Sequence, residues 1–213
     1  LKKMTRGDFQ QYSYISRQAI RYNIIQQLNW DNTPVDGKSG VVQFAPSATI
    51  EDYPEIDLFG YMKTTSKDDS IKGGATTRSA VARLSNAISL EPYQGELEFL
   101  TNMGLAKRQN LGNAIAQSEI HRAYYTYTLS IDLDRVGEDG DISISSEQKK
   151  ERVGAFLDVL QGDDSIKDNT VVGVVSDIFD NDAELKEKMH AVTVAKAFSQ
   201  LKEKVSEYYD ESN

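Results

Sequence analysis

The sequence predicts an α+β fold, because stretches with helical spacing and stretches with strand alternation both occur along one chain of 213 residues. The segment Tyr14–Tyr22 opens a helix, along which Ile20, Ile24 and Leu28 recur four residues apart as an apolar stripe. From Ile120 to Leu133 the pattern alternates instead: His121, Ala123, Tyr125, Tyr127, Leu129, Ile131 and Leu133 share one face of a long half-buried strand. Ser145-Ser146-Glu147-Gln148 then has the form of a capping box, which opens a helix running through Leu160.

Taken in order, Leu1 to Tyr12 is polar and reads as a loop. The first helix spans about Ser16 to Leu28 and ends near Asn29. Ser13 or Ser16 can cap it, since a hydroxyl there accepts from the free amides of the first turn. Pro34 and Asp36-Gly37 mark a turn-rich connection, and Val41–Phe44 is a short strand or the start of a helix. Ile56–Met62 reads as a buried strand with Asp57 as its polar exception. A loop of charge, glycine and threonine follows from Lys63 to Thr77, then a strand from Arg78 to Leu84. Residues 85–119 carry few periodic signals; a segment that long is often functional, and the alternative is a disordered surface insertion. Val171–Val175 is a strand. Val194, Phe198, Leu201, Val205 and Tyr208 form the stripe of a last amphipathic helix.

The chain carries a net charge of -9, which by itself argues against a nucleic-acid partner, but the charge is uneven. Residues 1–110 hold 13 Lys and Arg against 12 Asp and Glu, whereas residues 111–213 hold 11 against 21. The first thirty residues carry Lys2, Lys3, Arg6, Arg17 and Arg21 against Asp8 alone. Local charge density governs phosphate binding, so a basic face on an acidic protein suffices. No apolar run approaches the roughly 20 residues of a membrane span. The absence of cysteine excludes disulfides and thiolate metal sites and fits a cytoplasmic location. The chain opens at Leu1 and runs almost directly into a helix, and the stretch from Gln161 to His190 changes character abruptly. Some loops are therefore expected to be missing from that stretch.

The chemistry open to these residues is mainly binding. Of the two histidines, His121 lies on an apolar face and reads as a satisfied core residue, and the pair lacks metal-ligand spacing. Gly73-Gly74 is not followed by the Gly-Lys-Ser/Thr of a phosphate loop. Asp132 and Asp134 could hold magnesium, but alternate strand positions place such a pair on the solvated face. Single-stranded nucleic acid needs cations for phosphates and flat or apolar groups for bases. Arg17, Arg21, Lys72, Arg78, Lys107 and Arg108 can meet the first need, and Met103 and Leu105 can wedge between bases. For the first helix, the alternative is an ordinary amphipathic helix with solvated arginines.

Four motifs occur in a fixed order: Ser16-Arg17-Gln18-Ala19-Ile20-Arg21, Asp57-Leu58-Phe59-Gly60-Tyr61-Met62, the glycine-rich run Lys72 to Ala87, and the aromatic strand Tyr124 to Leu133. In this order they resemble the backbone subunit of type I CRISPR surveillance complexes, of the DevR-like, I-B type, over roughly residues 3 to 160. The resemblance implies an RRM-like (ferredoxin-like) palm over residues 1–213, with a finger-like insertion at about 31–77 and a hairpin thumb at about 93–118. It implies RNA contacts at Ser16, Arg17, Gln18 and Arg21, with Lys72, Thr77, Arg78 and Ser79 beside them. It implies an opening core strand, so that an N-terminal strand is expected to be missing from this sequence, and a non-catalytic subunit without cofactors. Copies would line up head to tail on guide RNA, with other CRISPR subunits and with target DNA paired through the guide. Many relatives carry two serines before the glutamine, where this chain has Ser16-Arg17.

Two other functions are kept. A DNA-binding autoregulator would show a second, basic recognition helix soon after residues 16–28, and the sequence has none at short distance. A metal-dependent RNA nuclease would use Asp57, Asp132 or Asp134.

Overall fold

The computed structural model describes residues 1–37, 40–65, 74–161, 170–171, 174–175 and 192–211. In chain order the elements begin β1 (Lys2–Thr5), β2 (Gln11–Ile15), α1 (Arg17–Leu28), β3 (Val35–Asp36), β4 (Gln43–Phe44), α2 (Pro54–Phe59), β5 (Tyr61–Thr65), β6 (Gly74–Arg78) and β7 (Ala82–Leu84). They continue with β8 (Ala87–Ser89), β9 (Glu96–Thr101), α3 (Met103–Ala106), β10 (Ile115–Ile120), β11 (Tyr125–Thr126), β12 (Leu129–Ile131), a 3-10 turn (Leu133–Arg135), β13 (Glu138–Asp139), β14 (Ile142–Ser143), α4 (Ser146–Gln161), β15 (Thr170–Val171), β16 (Val174–Val175) and α5 (Val194–Glu211). Helices and small antiparallel sheets coexist, as the α+β expectation requires.

The chain divides into two units. The first comprises residues 1–21 and 84–129. Its sheet has the order β1-β2-β8-β11. Residues 1–12, expected as a loop, contribute β1 and the start of β2. These pair from Lys2↔Tyr14 to Thr5↔Gln11. Their polar residues hid the strand because this hairpin is mostly exposed. Tyr14 and Ile15 pair onward with Ile88 and Ala87 of β8, which in turn pairs with β11. Residues 85–119 are also more ordered than expected. β9 and β10 form a six-pair hairpin from Glu96↔Ile120 to Thr101↔Ile115, which overlaps the 93–118 stretch expected as thumb and runs two residues past it, with α3 at its turn.

The expected long strand from Ile120 to Leu133 is instead the last residue of β10, then β11 and β12, with Leu133 opening the 3-10 turn. β10 pairs with β9, β11 with β8, and β12 with β7. Alternation persists through the segment because each piece is extended, but the ladder breaks each time the partner changes.

The second unit comprises residues 22–83 and 130–213. α1 ends in a Schellman arrangement: Asn29 takes φ 54° and the Trp30 amide donates to Ile25 O at 3.0 Å. Ile56–Met62, expected as a strand, is α2 followed by β5. Pro54 pre-sets the first turn, and Glu55 and Asp57 lie at the positive end of the helix. Ile56, Asp57, Leu58 and Phe59 are all buried, so no exposed face revealed the helical period. Gly60, at φ 72°, turns the chain into β5, which pairs with β6 from Tyr61↔Arg78 to Thr65↔Gly74. The strand expected from Arg78 to Leu84 is likewise divided between the end of β6 and β7.

The capping box is fully reciprocal. The Gln148 amide donates to Ser145 Oγ at 3.3 Å, and the Ser145 amide donates to Gln148 Oε1 at 3.1 Å. α4 then buries Val153, Phe156 and Leu157, and Ile50, Ile56, Leu58, Val81 and Val136 are buried in the same unit. The Phe156 ring meets Phe59 edge-on at 5.8 Å. α5 packs on α4, burying Val205 and Tyr209, while Leu201 of the expected stripe is 49% exposed. Val171–Val175, expected as one strand, is instead covered by two, β15 and β16, which pair antiparallel with each other, whereas most of Gln161–His190, including His190, lies outside the described residues.

Candidate nucleic-acid interface

The first unit sets the start of α1 at the floor of an open recess of about 350 Å³, lined by Lys2, Tyr14, Ser16, Arg17, Gln18, Ser85 and Asn86. Ser16 is the cap: its Oγ accepts from the Ala19 amide at 3.3 Å and its carbonyl accepts from Ile20. Ser13, the other cap candidate, is buried and shares a hydrogen bond with the Tyr125 hydroxyl at 2.7 Å. The Arg17 amide donates to Asn86 Oδ1 at 2.9 Å, which fixes the loop after β7 against the helix start. The next amide, that of Gln18, has no partner among the described residues.

This geometry favours an anion. The first turn of α1 has no acidic residue, and among the described residues no carboxylate lines the recess. The partial positive charge of the helix end is therefore not neutralised within the recess, and Lys2 and exposed Arg17 add to it. Three of the expected contact residues, Ser16, Arg17 and Gln18, are thus brought together. Arg21, one turn further on and half-buried, makes an interaction within the protein. Lys2, Tyr14, Ser85 and Asn86 are additions. Lys2 was visible as part of the basic N-terminal run, and Ser85 and Asn86 within the Lys72–Ala87 motif.

Met103, Leu105, Lys107 and Arg108 lie at the hairpin turn, all exposed, and none of them lines the recess. β9 and β10 also expose Leu97, Phe99, Leu100 and Ile115. The base of the hairpin is pinned by Glu119, whose carboxylate accepts from the Lys3 ammonium and the Tyr93 hydroxyl. Lys3 also sits 4.0 Å above the Tyr93 ring. These donors, Lys3 foremost, hold the Glu119 carboxyl down at about 2, against an ordinary 4.5. A depressed carboxyl stabilises the fold above its unfolded value and loses that contribution as pH falls through the folded one. An NMR titration of the Glu119 carboxyl is therefore expected to show a midpoint near 2, returning toward 4.5 in Lys3→Met. A midpoint near 4.5 in the unaltered protein would show that the pin is absent. His121, expected as a satisfied core residue, is half-buried. Its ring packs 5.1 Å from Tyr93, and its Nε2 is buried with no hydrogen-bond partner among the described residues.

In the second unit, Thr77 and Ser79 are exposed, while Lys72 lies outside the described residues. The Ser79 hydroxyl accepts from Arg135 at 3.1 Å. Arg78, expected as a phosphate contact, is a core residue with a side chain only 3% exposed. Its Nη2 donates to Asp57 Oδ1 at 2.8 Å and to Arg135 O at 2.7 Å, its Nε to Asp57 O at 3.1 Å, and its Nη1 to Glu138 O. The cause is Asp57, which is fully buried and would be costly unpaired. Arg152 donates to Asp57 Oδ2 at 2.8 Å, and the Gly137 amide donates to both oxygens at 2.9 and 3.1 Å. Both Asp57 oxygens are engaged within the protein, which leaves it poorly suited to a nuclease metal. Asp134 accepts from the Tyr208 hydroxyl.

Comparison with curated proteins returns no match. A family model described as CRISPR-associated negative auto-regulator DevR/Csa2 matches residues 1–162. With the ordered motifs and the α+β architecture, that match places the chain in the DevR/Csa2 family, a CRISPR-associated family of the RAMP type.

Proposed function

We propose that this protein is a guide-RNA-binding backbone subunit of a type I CRISPR interference complex, and that it grips RNA by its phosphates rather than its bases. The observation that carries this reading is the carboxylate-free recess at the start of α1, which combines an unpaired helix amide with Lys2 and Arg17. Phosphate contacts position a strand without reading it, as a subunit must do when the guide does the reading by base pairing. The exposed apolar and basic tip of the β9–β10 hairpin supplies groups that can separate stacked bases. Copies of the chain would follow one another along the RNA and present it to target DNA among the other subunits of the complex. The reading assigns no catalysis to this chain.

The family description also raises the autoregulator. After α1, the next helix is α2, which has six residues, carries Glu55 and Asp57 and is mostly buried. That helix cannot serve as a basic recognition helix.

The test is RNA binding by the full chain across a salt series. Lys2→Ala with Arg17→Ala removes two phosphate contacts, so the slope of log K against log salt on single-stranded RNA should flatten by about 1.4. The loss should be the same for RNAs of different sequence. An unchanged slope would remove the recess as the RNA seat, and a preference for a specific DNA duplex over single-stranded RNA would favour the autoregulator.

A further inference from the structure

The second unit holds a cation that the RNA-binding reading does not use. Lys63 on β5 is 7% exposed, yet its ammonium has no carboxylate partner among the described residues. It donates to the Ala48 carbonyl and lies 4.0 Å above the Tyr61 ring. An ammonium has three donors, so these contacts leave capacity for a further acceptor.

Lys63 faces a small recess of about 180 Å³, which Tyr61, Thr49, Thr76 and Asp139 also line. The carboxylate that lines the recess, Asp139, is otherwise engaged: it accepts from the Tyr61 hydroxyl at 2.8 Å and lies 3.7 Å from Arg78. The Thr76 hydroxyl is exposed and has no partner among the described residues. Arg78, Arg152 and Lys63 set three positive charges against the two negative charges of Asp57 and Asp139, so one is left over. An uncompensated charge in a poorly hydrated place is costly. Burial accordingly draws the Lys63 ammonium below the ordinary lysine range. The volume is well below that of a drug-sized site and suits a single functional group.

We propose that this recess receives one monoanionic oxygen group, a carboxylate or a phosphodiester, held by the Lys63 ammonium and the Thr76 hydroxyl. A monoanion balances the surplus charge, whereas a dianion would overshoot it beside Asp139. The site is separate from the recess at α1 and does not depend on RNA binding there.

The test is competitive acylation of the full chain with an N-hydroxysuccinimide ester, read at Lys63 by mass spectrometry with Lys150 as reference. Acetate and dimethyl phosphate are compared with chloride at matched ionic strength. Binding of an anion raises the amine pKa, and one unit lowers the reactive fraction about tenfold. Lys63 labelling should therefore slow by about that factor in acetate, in dimethyl phosphate or in both, with Lys150 unchanged. The effective probe identifies the group. Equal labelling in all three salts overturns the proposal. If Lys63 resists the reagent altogether, melting decides: acetate or dimethyl phosphate should raise the melting temperature of the unaltered protein above its value in chloride, and Lys63→Met should abolish that rise. A rise that survives in Lys63→Met, or no rise at all, also overturns it. Arg17→Ala should leave both readouts intact.

Discussion

Asp57→Ala is expected to be among the most damaging single substitutions in the second unit, lowering its stability by about 3–5 kcal/mol. The carboxylate is fully buried and binds two guanidiniums and one backbone amide at once. Removing it strands Arg152, whose side chain is 7% exposed, without its counter-charge and leaves Arg78, 3% exposed, with only Asp139 at 3.7 Å. Arg152 would keep its bonds to Ile50 O and Glu51 O, both at 2.7 Å, so the loss falls on charge rather than on every hydrogen bond. Asp57→Asn retains the size and one acceptor and should fall between the alanine variant and the native protein. Chemical denaturation monitored by tryptophan fluorescence checks both. A loss below about 1 kcal/mol for the alanine variant would fit a solvent-screened surface pair and contradict the burial described here.

Gly60→Ala should be comparably severe for a different reason. Gly60 sits at φ 72°, and a methyl group there would lie 2.3 Å from Arg78 O and 2.8 Å from Ala80 N. Both obstacles are backbone, so no side chain can swing aside. The left-handed conformation alone costs about 1–3 kcal/mol for a residue that does not tolerate it, and the collision adds to that. Gly140 is the control: it has φ 62° with nothing within 4 Å of the added carbon. Gly140→Ala should cost only the conformational part. If both variants shift the denaturation midpoint equally, the collision at Gly60 is not real.

How much was legible depended on whether a signal was local. Ser16 as cap and Ser145 with Gln148 as a capping box were readable because the bonds span three residues. Ile56–Met62 was misread because a helix buried all round shows no amphipathic face. Ile120–Leu133 was misread because alternation reports extended backbone but not which strand it pairs with. In the recess, Ser16, Arg17 and Gln18 were visible as a cap followed by polar side chains. Lys2 and Asn86 arrive through strand register, which a single sequence does not display. Arg78 follows a glycine-rich loop and so resembled a phosphate contact. The contrary signal was Asp57, an acid within an apolar run, which requires a buried cation that only the fold identifies.

The pairing of Tyr14 with Ile88 has a consequence for how the protein is made. β2 leaves the ribosome more than seventy residues before the strand that completes it. At about 5–20 residues per second, that is a wait on the order of 4–15 s. The entropy of closing so long a loop grows only slowly with its length, so the finished sheet loses little stability. The newborn hairpin is less protected. Its inner edge, with unpaired amides and carbonyls at Tyr14 and Ile15, is open during that interval to any extended chain that can pair with it. Slower translation through residues 22–83 should therefore lower soluble yield, even though the final fold would be unchanged.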